Sequence, residues 1–91
     1  MKNSNVEILN TDRFSCVVID VKYSKNYKSV IIKEPFSNSY LYFGKIDLNK
    51  NININDILYL GVDKINSIDK STKIILYDKN ESILDWTLIY A

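Results

Sequence analysis

The sequence predicts an all-β protein, a small antiparallel barrel of five to six strands, because residues that favour strands dominate its apolar positions. These residues are isoleucine, valine, tyrosine and phenylalanine. No stretch keeps the i, i+3, i+4, i+7 spacing of an amphipathic helix for three turns. The number of candidate strands is low for a two-sheet sandwich, which favours a barrel. A single domain over residues 1–91 is expected, because two independent cores could not form from so short a chain.

The first half of the chain contains four strand candidates. In order they are residues 6–9, which are a weak candidate, and residues 14–23, 27–33 and 40–46. The polar turn Ser24-Lys25-Asn26 joins the long strand to its return. A loop at residues 34–39, which contains the only proline, leads into the next strand.

The second half predicts a further hairpin and one ambiguous segment. Residues 56–65 and 73–78 read as strands on either side of a polar turn at residues 68–72. Residues 83–90 fit a strand or a short helix, because their apolar side chains alternate while Ser82 and Asp85 would suit a helix start. The β formers near the end of this segment favour the strand.

The connector at residues 47–56 superficially resembles a calcium loop, because oxygen-bearing side chains alternate along it. A calcium loop needs a glycine at its sixth position and a bidentate glutamate at its twelfth, where this chain has Ile52 and Leu58. The connector is therefore interpreted as a plain loop, and the sequence predicts no metal site and no cofactor.

Period-two alternation assigns the faces of the predicted strands. Leu41 and Phe43 point to one side of their strand, and Tyr40 and Tyr42 point to the other. The residues expected to be largely buried are Val18, Ile32, Leu41, Phe43, Leu58, Leu60, Ile74 and Leu76. By the same rule Val62 is expected inside the barrel.

Segments of the second half resemble the last two strands of oligonucleotide-binding (OB) domains, in particular RNA-binding repeats of the ribosomal and translation-factor type. The segments are residues 57–62, 65–69 and 74–76. In that family an Ile-Asp reversal, here Ile68-Asp69, precedes the last strand, and residues 39–44 fall where the family places its third strand. The chain departs from the family at residues 30–32, where aliphatic residues replace an aromatic motif, and at residues 14–23, which contain no glycine.

The resemblance implies a surface that binds single-stranded DNA or RNA. Basic side chains exceed acidic ones by seven to four in residues 1–45, and lysines there are interleaved with tyrosines. The predicted site residues are Lys22, Tyr23, Lys25, Tyr27, Lys28, Lys33, Tyr40, Tyr42 and Tyr59. The rings would stack on bases and the lysines would attract phosphates.

A second class of function stays open, namely a small protein-interaction module that docks through a sheet edge or a tyrosine patch. Such a module could be a viral, phage or plasmid protein, or a subunit of a larger assembly. Exposed tyrosines on strands also pair with each other or anchor protein partners, and lysines also keep hairpins soluble. The near-neutral net charge of +1 favours this class, whereas the interleaved lysines and tyrosines favour nucleic acid.

An enzyme is not expected, because the chain has no histidine and therefore no general base or nucleophile pair of the usual kind. The two glycines form no phosphate loop, and the single arginine, Arg13, offers little scope for bidentate recognition. The single cysteine, Cys16, is expected to be a small buried thiol. Together with the lack of a signal-peptide stretch it favours an intracellular location, and the short apolar runs predict no membrane span.

Overall fold

The computed structural model describes residues 13–66 and 71–90, and every helix or strand within these ranges is a β-strand. In chain order the strands are β1 (Phe14–Tyr23), β2 (Tyr27–Lys33), β3 (Tyr40–Asp47), β4 (Ile57–Asn66), β5 (Ser71–Tyr77) and β6 (Ile83–Tyr90). The predicted all-β class is confirmed, and β6 confirms the strand alternative for residues 83–90. No helix in the described ranges is long and apolar enough to cross a membrane.

The predicted strand bounds agree with the structure to within two residues. β1 and β2 have the predicted bounds, β3 continues one residue further, β4 is shifted by one residue, and β5 begins two residues earlier and ends one earlier. The strand candidate at residues 6–9 lies outside the described residues, and so do residues 68–70 of the predicted turn.

The six strands form one antiparallel sheet in the order β3-β2-β1-β4-β5-β6. Strands β1 to β4 make a Greek key, because β4 returns over a long connection to pair with β1. The sheet curls until its two edge strands, β3 and β6, contact each other. The backbone N–H of Lys45 on β3 donates a hydrogen bond of 3.1 Å to Oδ2 of Asp85 on β6. The result is a nearly closed barrel, and we call this contact the β3–β6 seam.

The core lies inside the barrel and draws on all six strands. Its buried members are Cys16, Val18, Val30, Ile32, Phe43, Ile46, Ile52, Leu58, Leu60, Ile74, Leu76 and Leu84. All the residues predicted to be largely buried are among them except Leu41, which is partly buried and packs against the cluster. Alternation therefore assigned the inner faces correctly, because a barrel of this size is filled by its inward side chains.

The connector between β3 and β4 closes one end of the barrel. Ile52 inserts into the core with 3% of its surface exposed. Val18 anchors the connector, because its N–H donates to the Asp56 carbonyl at 2.9 Å and its own carbonyl accepts the Asn55 N–H at 2.8 Å. The Asn53 N–H donates to Oδ2 of Asp56 at 2.8 Å, which fixes the tight turn before β4. This carboxylate orders the loop, as expected for a plain connector.

The opposite end of the barrel is an apolar groove of about 290 Å³. Its apolar lining consists of Phe36, Leu41, Leu60, Val62, Ile74 and Ile89. The prediction that Val62 lies inside the barrel was wrong. Val62 shares a face with Leu60, but 49% of its surface is exposed. Val62 pairs with Ile74 beyond the fully buried Leu60–Leu76 pair, so it lies at the rim of the barrel.

Candidate nucleic-acid interface

Two tyrosines of β3 stand on the outside of the barrel, as predicted from alternation. Tyr40 and Tyr42 are 62% and 63% exposed, whereas Phe43 between Tyr42 and Gly44 is fully buried. Residues two apart on a strand lie about 7 Å from each other, so the two rings follow one line along the barrel. This line is the centre of the candidate site.

A glycine makes room for the Tyr42 ring. A Cβ atom on Gly44 would lie 2.9 Å from both Cε2 and the hydroxyl oxygen of Tyr42. The Cε2–hydroxyl edge of the ring therefore lies against the backbone of the residue two positions further on. Glycine leaves room for this edge, and 63% of the Tyr42 surface remains exposed on the outside of the barrel.

Strand β2 supplies the neighbours of these rings. Lys33 lies opposite Tyr40, and Ile31 lies opposite Tyr42. Directly opposed residues of an antiparallel pair have Cβ atoms about 5 Å apart, so the Lys33 stem adjoins the Tyr40 ring. A positive charge beside an exposed aromatic ring is the combination that binds a base together with its phosphate.

The β1–β2 hairpin adds two further lysines, Lys22 and Lys25, both exposed. Its turn is held by Ser24, whose N–H donates to the Tyr27 carbonyl at 2.8 Å and whose hydroxyl oxygen accepts the Tyr27 N–H at 3.2 Å. Lys25 therefore projects from a fixed turn. Tyr27 is on the outer face, because its neighbour Lys28 is on the inner one.

Lys28 is not on this surface, contrary to its assignment to the exposed site. It is 3% exposed and pairs with Tyr23 and Ile46 on the inner face of the sheet. Its Nζ donates to the Lys50 carbonyl of the connector and lies 5.2 Å from the centre of the Tyr23 ring. Lys28 thus belongs to the closed end of the barrel, where a carbonyl and a ring replace water around the ammonium. Tyr23 supplies this ring and is itself 67% exposed, on the same side of the sheet as Lys28.

Tyr59 is separated from the other predicted rings. Although it points outward from β4, β1 and β2 lie between β4 and β3. At about 4.8 Å per strand, it is about 14 Å around the barrel from Tyr40. Tyr59 instead lies opposite Tyr77 and lines a small pocket with Arg13.

The structure adds three residues that were not predicted as site residues. Lys45 is exposed on β3, two residues beyond the buried Phe43. Trp86 on β6 is 50% exposed, and the Nζ of Lys73 on β5 lies 4.6 Å from the centre of its ring. Alternation alone places Trp86 on the same side as Leu84, which is buried. The register of β5 and β6 shifts between Leu76 and Tyr77, so Trp86 faces outward, and its position beside β3 depends on closure of the barrel.

Glu34 organises the loop that leads into β3. Its Oε1 accepts hydrogen bonds from the N–H groups of Ser37 at 2.9 Å and Ser39 at 3.0 Å, and its Oε2 accepts the Phe36 N–H at 2.7 Å. The Ser37 hydroxyl also donates to Oε1, and this bond, followed by the backbone bonds, lowers the pKa of Glu34 to about 2. The carboxylate is therefore ionised at neutral pH and fixes the start of the strand that carries Tyr40.

The buried thiol of Cys16 does not offer chemistry at neutral pH. Desolvation by burial raises its pKa to about 12, against a smaller lowering by a backbone hydrogen bond to Leu58. The thiol is neutral at pH 7 and packs in the core. Within the described ranges, no group of three or more acidic, cysteine or histidine side chains could hold a metal ion.

A comparison with protein-family models gives no match, and comparisons with curated proteins and with solved structures give none either. Function is therefore inferred from the geometry of the described residues.

Proposed function

We propose that the protein binds single-stranded nucleic acid, without catalysis, through the outer surface of β2, β3 and the β1–β2 hairpin. This surface, the tyrosine–lysine face, consists of Lys22, Lys25, Tyr27, Lys33, Tyr40, Tyr42 and Lys45. The observation that carries the proposal is the Tyr42 ring, whose edge lies against Gly44 while most of its surface is exposed, two residues from a second exposed ring. A flat, rigid ring is an efficient stacking platform because little side-chain entropy is lost when a base covers it.

The Greek-key order of the strands supports this proposal. OB domains are partly open Greek-key barrels that bind oligonucleotides on their second and third strands and adjoining loops. Here the exposed rings lie on β3, and their basic neighbours lie on β2 and on the turn between β1 and β2. The candidate surface thus corresponds to the surface that the resemblance to OB domains implies.

The chemistry of the face predicts the type of binding. Stacking contributes about 1–3 kcal/mol per base and tolerates any base, and lysines attract phosphates without forming base-specific forks. Two carboxylates, Asp20 and Asp47, lie on the same outer side, opposite Ile31 and Tyr27. They offset part of the lysine charge. Binding should therefore show weak sequence preference, with a slope of log K against log salt no steeper than about −3 for four lysines.

Fluorescence anisotropy with labelled oligo(dT) and oligo(U) at low and high salt tests the proposal. The double variant Tyr40→Ala/Tyr42→Ala should bind at least about 30-fold more weakly, because two stacking contacts are lost. Phe36→Ala is the matched control, since Phe36 is an exposed aromatic residue at the open end of the barrel. Equal losses in both variants would contradict an interface centred on β3.

The charge part of the site has its own test. Lys22→Glu/Lys25→Glu should abolish binding at low salt, because both side chains are exposed and the substitutions reverse the local charge. Lys79→Glu is the control, since Lys79 is exposed in the β5–β6 loop, away from the face. If the two changes weakened binding equally, the attraction would belong to the whole protein and not to the hairpin.

The open end of the barrel supports a second candidate function, the docking of a protein partner. Phe36 and Ile89 are exposed at the apolar groove, and Phe36 packs edge-on against Phe14 with ring centres 4.7 Å apart. Exposed apolar grooves of this kind accept side chains of partners. If no single strand changes the anisotropy at low salt, and a protein partner is retained by the parent but lost by Phe36→Ala, this function replaces the first.

Both candidate functions are consistent with an intracellular location. The Cys16 thiol is free and buried, a state that a reducing compartment maintains. Single-stranded DNA and RNA are ligands of the same compartment.

A further inference from the structure

We propose that the bound strand continues from the tyrosine–lysine face across the β3–β6 seam and stacks on Trp86. This inference rests on the proposed function and names a second part of the same site. We call the pair of Trp86 and Lys73 the β6 platform.

The β6 platform combines an exposed ring with a lysine, as Tyr40 and Lys33 do on β3 and β2. Trp86 lies opposite Ile75, and Lys73, two residues before Ile75, places its Nζ over the indole ring, 4.6 Å from its centre. Half of the Trp86 surface remains exposed. Because Ile74 and Leu76 point into the core, Ile75 and Trp86 face outward. A base can stack on the exposed part of the ring, and the Lys73 ammonium is close enough to contact the phosphate of that base.

The seam brings the two surfaces together. The hydrogen bond from the Lys45 N–H to Oδ2 of Asp85 joins residues that adjoin each surface. Asp85 precedes Trp86 directly, and Tyr42 lies three residues before Lys45, which is about 10 Å along the strand. Tyr42 and Trp86 therefore stand on the outside of the barrel at the same seam. Lys45, exposed at the seam, can hold the phosphates of a strand that crosses.

The charges around Trp86 indicate that stacking dominates there. Asp63 lies opposite Lys73 on β4, and the Asp85 carboxylate is held at the seam. These two acids offset the lysine, so the β6 platform adds little phosphate attraction. Loss of Trp86 should therefore lower affinity while leaving the salt dependence almost unchanged.

The geometry also predicts a dependence on the length of the oligonucleotide. An OB-type domain contacts about 4–16 nucleotides. A four-nucleotide strand can cover the β3 rings, whereas a strand of twelve nucleotides can also reach Trp86. A longer strand offers more positions at which the same short site can bind, and this alone raises the apparent affinity. From dT4 to dT12 the affinity should rise by more than this statistical factor, and the additional gain should depend on Trp86.

Trp86 is the only tryptophan of the chain, so its emission reports on this part of the site directly. We expect dT12 to quench the emission of the parent protein in step with the anisotropy change of labelled dT12, and dT4 to quench it little. Trp86→Ala should weaken dT12 binding by about tenfold and dT4 binding by less than twofold. Ile83→Ala, an exposed apolar residue at the start of the same strand, should leave both unchanged.

The possible results separate this inference from the proposed function. If dT12 binds in a Tyr42-dependent manner without changing the tryptophan emission of the parent, the β6 platform is overturned and the proposed function stands. Equal quenching by dT4 and dT12 would also overturn it, because the strand would not need to cross the seam. If neither oligonucleotide changes the anisotropy, the proposed function fails and this inference fails with it. The quenching measurement uses the parent protein, so it does not depend on the folding of Trp86→Ala.

Discussion

Two tyrosine rings lie against glycines on the outside of this barrel, but only one of the two rings also has a charged group over its face. Tyr42 covers Gly44 and is 63% exposed. Tyr77 covers Gly61, where an added Cβ would lie 2.8 Å from its Cε2, yet it is only 9% exposed. The difference is Arg13, whose guanidinium carbon lies 3.9 Å above the centre of the Tyr77 ring.

The comparison shows how one local device can serve stability or binding. In both places one edge of the ring lies against the backbone of a strand glycine. Where a guanidinium also stacks on the face of the ring, the ring belongs to the packed structure. Where that face is open, as at Tyr42, a rigid aromatic surface is available to a base. The predictions below test this distinction.

The largest effect on stability is expected at Phe43, which separates Tyr42 from Gly44. Phe43 points into the barrel and is 1% exposed, so Phe43→Ala removes a fully buried ring. The free energy of unfolding should fall by about 3–5 kcal/mol. Urea denaturation followed by circular dichroism measures this. A variant that unfolds at the same urea concentration as the parent would mean that the faces of β3 are inverted.

The next largest effect on stability is expected at Tyr77, in contrast to Tyr42. Tyr77→Ala should lower the free energy of unfolding by about 2–4 kcal/mol, because it removes a buried ring that packs against Arg13. Tyr42→Ala should lower it by less than about 1 kcal/mol, because the ring is largely exposed. The order is reversed for oligonucleotide affinity, which Tyr42→Ala should reduce and Tyr77→Ala should not, provided that the variant is folded. Equal destabilisation by both changes would contradict the distinction.

The two glycines give a finer test of the same point. In Gly61→Ala the new methyl group would lie 2.8 Å from Cε2 of the buried Tyr77 ring and 3.4 Å from Nη1 of Arg13, so overpacking should cost about 1–3 kcal/mol. In Gly44→Ala the Tyr42 ring can swing outward, and the cost should stay within about 0.5 kcal/mol. The displaced ring should nevertheless bind oligo(dT) several-fold more weakly than in the parent. Calorimetric melting and anisotropy titrations measure the two quantities.

The sequence was sufficient to predict the strands and most faces, because period two holds over most of each strand. It breaks at register shifts, for example after Val18 on β1 and between Phe43 and Ile46 on β3, which are both buried. The sequence also indicated that Lys28 is buried, although the lysine charge suggested an exposed residue. Ile32, Val30 and Lys28 alternate on one side of β2, so the position is an inward one, and the lysine is buried against the Lys50 carbonyl. At this position the alternation of the strand is a better guide to burial than the general preference of lysine for the surface.

Other parts of the site could not be predicted from local pattern. Tyr59 was correctly expected to point outward, but its distance from Tyr40 depends on the order of four strands in the sheet. The position of Trp86 depends on the β3–β6 seam, which joins residues 40 positions apart. Such long-range pairing is set by the closure of the whole barrel, and the alternation of one strand does not encode it.

The smallest expected effect concerns the loop that precedes β3 and its exposed rings. The pKa of Glu34 is lowered to about 2 from a usual 4.5, mainly by the Ser37 hydroxyl. A carboxyl group whose pKa is lower in the folded state stabilises the fold fully above its unfolded pKa, and this contribution is lost as the pH falls through the folded value. The melting temperature of the parent should therefore exceed that of Glu34→Gln at pH 7. The difference should remain down to about pH 4.5 and shrink towards pH 2. A difference that stays constant from pH 7 to pH 2 would show that the carboxylate charge does not hold this loop, and that the start of β3 is fixed by other contacts.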